Sequence, residues 1–137
     1  TRLAFGAPAP GDGPLDGASS WGRVYWGGAL FCLLADVEIR EQTHGQKALD
    51  DALRALIERG GNVSRRWDVA RVVEIGDAAT GTHVLTDLYA RLGKADGRVD
   101  VPRLLRSLGV RLVAGDVQFD DAAPRAAIRR ALVAPRR

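Results

Sequence analysis

Residues 23–40, RVYWGGALFCLLADVEIR, form the longest helical pattern in the 137-residue chain. Apolar side chains recur at helical spacing from Val24 to Ile39, as they do on the buried face of an α-helix. The pattern begins at Trp21 and ends in the Thr-His-Gly turn at 43–45. We therefore expect a central helix against which the rest of the chain packs.

Three features distinguish this helix from an ordinary core helix. It opens with Tyr25 and Trp26, continues with the glycine pair 27–28, and carries Asp36 among apolar neighbours. The glycine pair has no following Lys, Ser or Thr of a phosphate-binding loop, so it predicts close packing by a neighbouring element. Asp36 and Arg40 lie four residues apart, which favours an ion pair between them over a catalytic role for the carboxylate.

The rest of the sequence predicts a mostly α fold: a compact bundle of about five to six helices with one small β-hairpin near the C-terminus. The further helices are expected from Leu49 to the glycines at 60 and 61, from Val69 to Ala79 with Asp68 as N-cap, from Val84 to Leu92 with Thr80 or Thr82 as cap, from Asp100 to Leu108, and from Asp121 as cap to about Val133. Val110–Val113 and Val117–Phe119 flank an Ala-Gly-Asp turn and predict the hairpin.

The same patterns predict the domain organisation. Residues 1–20 are so rich in Gly and Pro that they predict an irregular N-terminal arm, and residues 21–137 are expected to form a single helical domain. A chain that begins with Thr1 and contains no Met is compatible with a processed or excised fragment of a longer protein.

Composition argues against several classes of function. The net charge is +3, and the 20 cationic residues are interspersed with 17 acidic ones, so the clustered basic face of a nucleic-acid-binding protein is not expected. The apolar stretch Ala29–Ala35 is far shorter than the roughly 20 residues that cross a bilayer. We therefore expect neither nucleic acid nor membrane as a partner. The single cysteine, Cys32, lies on an apolar helix face and is predicted to be a core residue.

The residues that could perform chemistry are few. His44 and His83 are the only histidines, and neither belongs to an HExxH pair that would place two metal ligands on one helical face. Both are expected at the surface. Since the sequence also lacks a G-x-S-x-G elbow and a glycine-rich phosphate loop, no metal or cofactor site is predicted in this chain.

Several of these segments together resemble a known family. YWGGAL at 25–30, ADVEIR at 35–40, THG at 43–45 and LDD at 49–51 resemble, in order and spacing, the carboxyl-terminal part of the catalytic domain in the glycyl aminopeptidase family of zinc metallopeptidases. Thr80-Gly81, Gly93 and the segment from Pro102 to Gly109 look like the later helices of that family. The resemblance covers about residues 23–110.

The resemblance implies a catalytic role for one residue. In this family, and in the more distant thermolysin-like aminopeptidases, the tyrosine of a Tyr-x-x-Gly motif donates a hydrogen bond to the oxyanion of the transition state. Tyr25 matches that tyrosine and Gly28 the glycine. The zinc ligands and the general base of the family lie on an HExxH helix amino-terminal to the matched region. Zinc is therefore expected in the parent protein and not in this chain, which would be inactive by itself.

Two classes of function remain open. In the first, the chain contributes Tyr25 and part of the cleft for a peptide substrate, and its partner is the N-terminal metal-binding portion of the parent. In the second, it is a non-catalytic helical module with a degenerate peptidase-like fold that binds another protein, and Tyr25 and Trp26 merely anchor a core helix. The face that carries Tyr25, Gly28, Ala29 and Cys32 discriminates: a face left open as an apolar patch awaits a missing half or a partner.

Overall fold

The structure, a computed structural model, describes residues 21–95 and 97–135. The predicted arm at residues 1–20 lies outside the described residues. The described part contains these elements: α1 (Trp21–Gln42), α2 (Leu49–Glu58), α3 (Val69–Thr80), α4 (Val84–Leu88), a π-helix (Tyr89–Lys94), α5 (Val101–Ser107), β1 (Val110–Val113), β2 (Asp116–Phe119) and α6 (Ala126–Val133). The mostly α fold with one antiparallel hairpin near the C-terminus is thereby confirmed.

The chain divides into two compact units. The first ends at Gly97 and contains α1 to α4 with the π-helix, and the second begins at Arg98 and contains α5, the hairpin and α6. That residues 21–137 form a single domain stays a prediction. None of the helices in the described ranges is long and apolar enough to cross a membrane.

The core of the first unit forms where the C-terminal half of α1 meets the other helices. α1 packs against α2 and α4, and α3 packs against the same two helices. The largest side chains that are fully buried come from α1 and α4: Val37, Ile39, Val84 and Leu88. Val84 and Leu88 are one turn apart and share a face of α4, whereas Val37 and Ile39, two residues apart, lie on nearly opposite sides of α1. This part of α1 is therefore buried on more than one side, and burial of apolar area holds it in the unit.

Two carboxylates tie helices of the first unit to each other. Asp36 on α1 accepts a hydrogen bond from the backbone N–H of Leu49, the first residue of α2, at 2.7 Å. Asp77 on α3 accepts from the N–H groups of Leu85 and Thr86 in α4, at 2.9 and 3.0 Å. The first N–H groups of a helix have no partner within it, so each carboxylate satisfies donors that would otherwise be left without one.

The start of α4 differs from the prediction. Thr82 accepts only a long hydrogen bond from Val84 N–H, at 3.5 Å, and its hydroxyl pairs with that of Thr80 at 2.9 Å. Neither threonine is the principal cap, and Asp77 from the preceding helix takes that role. A cap supplied from another helix is invisible to a search of the residues just before the helix.

The end of the same segment also differs. The predicted helix from Val84 to Leu92 is α-helical only to Leu88 and continues as a π-helix. Gly93 lies so close to the Tyr89 ring that a Cβ at this position would overlap it, and the Lys94 Nζ lies 5.2 Å from the ring centroid. The wider π turn and the absent side chain accommodate the ring.

Other helix ends agree with the sequence. Asp68 accepts from Arg71 N–H at 2.7 Å, and Asp100 accepts from Arg103 N–H at 2.9 Å, which confirms both predicted N-caps. α1 ends at the predicted Thr-His-Gly turn, where His44 adopts a positive φ of 52°. Short polar side chains and turn residues act within a few positions of themselves, so they are readable from sequence.

The hairpin of the second unit has one apolar face. The register pairs Val110 with Phe119 and Leu112 with Val117, so these four side chains share one side of the two strands. Ala114 and Gly115, with φ values of 51° and 92°, form the two-residue turn, as a type I′ turn requires. The strand after the turn begins at Asp116, one residue before the predicted start. Leu112, Val117 and Phe119 are exposed.

The last helix begins four residues later than predicted. α6 starts at Ala126, and Asp121 does not cap it. The Asp121 carboxylate instead accepts hydrogen bonds from Arg130, at 2.9 Å, and from Arg129. The hydrogen bond from Arg130, then that from Arg129, lowers the pKa of Asp121 from its usual 3.8. The pairing therefore stabilises the folded state above about that pH and is lost as the pH falls through the lower folded pKa.

Replacing Asp77 should destabilise the protein more than replacing an exposed cap. Asp77 is only 5% exposed, so Asp77→Ala leaves two N–H groups at the start of α4 without their acceptor. We expect a loss of about 2–4 kcal/mol in the free energy of unfolding. Asp68→Ala, which removes the exposed cap of α3, should cost about 1 kcal/mol.

Urea denaturation followed by circular dichroism at the helical band measures both changes. Equal losses in the free energy of unfolding for the two variants would show that Asp77 contributes no more to stability than the exposed cap Asp68.

Candidate functional site

Tyr25, the predicted catalytic residue, lies in the second turn of α1 with its side chain 65% exposed. Val24 and Trp26 beside it are also exposed, at 51% and 42%. One and two turns further on, Ala29 and Cys32 are exposed on the same side of the helix as Tyr25. We call these five residues the aromatic end of α1.

The aromatic end contrasts with the rest of the helix. From Leu34 to Arg40 most positions are buried, whereas the apolar residues Leu30, Phe31 and Leu33 are only half-buried. A helix that is apolar on all sides is normally buried on all sides. The N-terminal half of α1 therefore presents an apolar surface that the described part of the chain does not cover.

The predicted close packing at the glycine pair is wrong for Gly28. A Cβ built at this position meets no atom within 4 Å among the described residues. Gly76 on α3, by contrast, does permit close packing between helices, since a Cβ there would overlap Leu85 and would lie 3.2 Å from the Cβ of Ala52. α2, α3 and α4 approach one another at that point.

The prediction that Cys32 is a core residue is also wrong. Its side chain is exposed, because it falls on the uncovered side of α1. An apolar helical stripe identifies the residues able to be buried, but the position of the neighbouring helices decides which of them are buried. Here α2 and α4 cover the C-terminal half of α1 and leave Cys32 outside.

Asp36 forms the predicted ion pair. Its carboxylate lies 3.0 Å from the Nε of Arg40, and both side chains are largely buried, at 16% and 8% exposed. The other oxygen receives the Leu49 N–H, a contact that sequence reasoning missed. With one oxygen held by a guanidinium and the other by a helix N-terminus, the carboxylate has a structural role and is not a candidate general base.

The two histidines are both exposed, as predicted. His44 lies in the turn after α1 and His83 immediately before α4. Nowhere in residues 21–95 and 97–135 do three His, Cys, Asp or Glu side chains come together in a way that could hold a metal ion. The described residues do not fit a zinc centre.

A second surface, which was not predicted from the sequence, lies at the loop that joins α2 to α3. Arg59, Arg65 and Arg66 are exposed in and beside the loop between these helices. No carboxylate in the described part of the chain forms an ion pair with any of the three. We call them, with Arg54 and Arg71, the arginine end. The signal available in the sequence was local density: five arginines fall between positions 54 and 71.

Comparison of the chain with protein-family models, with curated proteins and with solved structures found no match. The resemblance to glycyl aminopeptidases thus remains a prediction from the segments between residues 23 and 110.

Alanine at two glycines should have opposite effects on stability. Gly28→Ala adds a methyl group in open space within a helix and removes backbone freedom from the unfolded chain, so we expect a gain of about 0.5–1 kcal/mol in the free energy of unfolding. Gly76→Ala forces Leu85 out of position and should cost about 1–3 kcal/mol.

Thermal unfolding followed by circular dichroism gives the sign of each change directly. A destabilising Gly28→Ala would restore the close-packing interpretation at the aromatic end.

Proposed function

We propose that the chain is the carboxyl-terminal helical portion of an aminopeptidase-like zinc metallopeptidase. In this proposal Tyr25 supplies a hydrogen-bond donor to the transition state, and the aromatic end of α1 forms part of the substrate cleft. The metal-binding portion of the parent protein is the partner that covers the remaining apolar surface. One observation supports this above the others: the residue that the resemblance marks as catalytic stands exposed on an apolar surface.

The location of Tyr25 suits the role that the resemblance implies. A phenol at the surface of a unit can meet a substrate held by another part of the protein, whereas a phenol inside the core cannot. The first turns of α1 continue into a half that is buried against α2 and α4, so the ring is carried on a fixed element. A donor held in place before the reaction stabilises developing charge without reorganising.

The phenolic donor would act by binding the transition state more strongly than the substrate. A phenolic O–H aimed at the oxygen of a peptide carbonyl binds that oxygen more strongly as negative charge develops on it, which lowers the barrier and leaves substrate affinity nearly unchanged. Zinc, held elsewhere in the parent, would act as a Lewis acid. No step is assigned to a metal on this chain, since its described residues do not fit one.

Removing the hydroxyl should therefore lower turnover selectively. In an active protein that contains these residues together with a metal-binding portion, Tyr25→Phe is expected to reduce kcat by about 10²–10³-fold with little change in KM. Steady-state hydrolysis of an aminoacyl anilide measures both constants.

The matched control is Tyr89→Phe, which removes the same atom from the π-helix. It should leave kcat within about twofold of the unmodified protein. Turnover that is unaffected by Tyr25→Phe would remove Tyr25 from the mechanism.

The 137-residue polypeptide itself should not cleave aminoacyl anilides. After incubation with zinc and dialysis into metal-free buffer, it should also retain no zinc. Elemental analysis provides the check, and a bound ion in equal proportion to protein would contradict the assignment of the metal to another portion.

The second candidate is a non-catalytic module that binds another protein through the aromatic end. The exposure of Val24, Trp26 and Ala29 with Tyr25 favours it as well, since apolar patches of this kind mark interaction sites. The two candidate functions differ in whether they require the Tyr25 hydroxyl. A binding module depends on the Tyr25 ring, so Tyr25→Phe preserves its function and Tyr25→Ala impairs it, whereas the catalytic role requires the hydroxyl.

A further inference from the structure

The arginine end is held on a fixed loop. Gly61 N–H donates to the Leu56 carbonyl at 2.9 Å, and Arg65 N–H donates to the Asn62 carbonyl at 3.0 Å. The Trp67 ring lies against Gly61, where a Cβ would be 3.0 Å from the ring. These contacts fold the loop back onto the end of α2, so the arginines that it carries are displayed from an ordered segment.

Charge is concentrated at this place. Between positions 54 and 71 the chain has five arginines against only Glu58 and Asp68, a local excess equal to the net charge of +3 of the whole protein. The Asp68 carboxylate is engaged in capping α3. Arg54 is paired with Asp51, which lies just before this segment, so the unbalanced positive charge rests on Arg59, Arg65 and Arg66.

Within the described residues, three of these arginines lack the ion pairs that many other arginines form, and they share this with Arg98, Arg103 and Arg106 of the second unit. Arg40, Arg91, Arg111, Arg129 and Arg130 each form an ion pair with a carboxylate of their own unit. Arg59, Arg65 and Arg66 form none in the described part of the chain, so their guanidinium groups have donors to offer. A guanidinium presents a planar fork that matches a carboxylate in a bidentate contact.

Apolar side chains lie among the charges. Ile57 in the last turn of α2 is 71% exposed, Val69 at the start of α3 is 43% exposed, and Val63 at the tip of the loop is fully exposed. Arginines around exposed aliphatic side chains are the composition of a protein-binding surface, in which apolar anchors are surrounded by charged contacts.

We propose that the arginine end binds an acidic polypeptide segment, one that presents carboxylates to Arg59, Arg65 and Arg66 and apolar side chains to Ile57 and Val63. Charge complementarity identifies this occupant. A single-stranded nucleic acid would need an open aromatic face for stacking, but the guanidinium of Arg71 covers the Trp67 ring at 4.5 Å from its centroid. The surface goes beyond the proposed function, since it involves no residue assigned to the substrate cleft.

Binding of a defined probe tests the proposal. The probe is a short fluorescein-labelled peptide that repeats Glu-Glu-Leu. Its binding to the full chain is measured by fluorescence anisotropy at low sodium chloride concentration. Arg65→Ala with Arg66→Ala should weaken binding about tenfold or more. The control, Arg98→Ala with Arg103→Ala, removes the same charge from exposed positions of the second unit and should change the affinity less than about twofold.

Two further measurements complete the test. Ile57→Ala should weaken binding about fivefold through the lost apolar contact. Circular dichroism melting confirms that every variant is folded, and all of the substituted side chains are exposed.

The proposal is overturned by any of three results: the Glu-Glu-Leu peptide fails to bind, both arginine pairs affect its binding equally, or the same peptide with Gln in place of Glu binds as well. The proposal is also overturned if the chain binds single-stranded RNA, or vesicles that contain phosphatidylserine, more tightly than it binds the acidic peptide. The partner would then be a nucleic acid or a membrane.

Discussion

The carboxylate of Asp77 closes a cycle of helices in the first unit. It lies in α3 and receives two N–H groups from α4, while Asp36 in α1 receives one from α2. α2 packs on α3 where Gly76 admits Ala52, and α4 packs on α1. Each helix is therefore fixed to two others, alternately by a carboxylate at a helix N-terminus and by apolar packing. Because a buried carboxylate without its donors is costly, the polar links determine which arrangement of the four helices is stable.

The cycle accounts for the surfaces that it leaves uncovered. α1 extends well beyond the region covered by α2 and α4, so its N-terminal half projects the apolar side chains of Val24, Tyr25 and Trp26 outward. The ends of α2 and α3 lie at the loop that carries Arg65 and Arg66. Both surfaces lie outside the region in which the four helices pack on one another.

Features that depend on neighbouring residues in the sequence were predictable. Asp68 and Asp100 cap helices within three positions of themselves, and Ala114-Gly115 turns the hairpin through its own backbone. Features that depend on distant contacts were not. The π-helix places the Tyr89 ring against Gly93, and the spacing of apolar residues does not distinguish a π-helix from an α-helix. Asp121 resembles a cap but forms its hydrogen bonds with arginines eight and nine residues later.

The candidate site divides in the same manner. The pairing of Asp36 with Arg40 follows from their spacing, but the contact with Leu49 depends on where α2 lies. The exposure of Cys32 was missed because the spacing of apolar residues identifies a face of α1. It does not show how far along α1 the neighbouring helices α2 and α4 extend. That Arg59, Arg65 and Arg66 form no ion pair within the described residues could not be predicted, because it depends on where the carboxylates lie in the fold.

The two uncovered surfaces of the first unit should respond oppositely to the composition of the buffer. Sodium chloride shortens the range of attraction to about 8 Å at physiological ionic strength and so weakens encounters at Arg65 and Arg66. Sulfate salts are excluded from apolar surface and strengthen association through Tyr25, Trp26 and their neighbours. Crystallisation from ammonium sulfate would therefore favour lattices built on α1, whereas dilute low-salt conditions favour contacts made by the loop between α2 and α3.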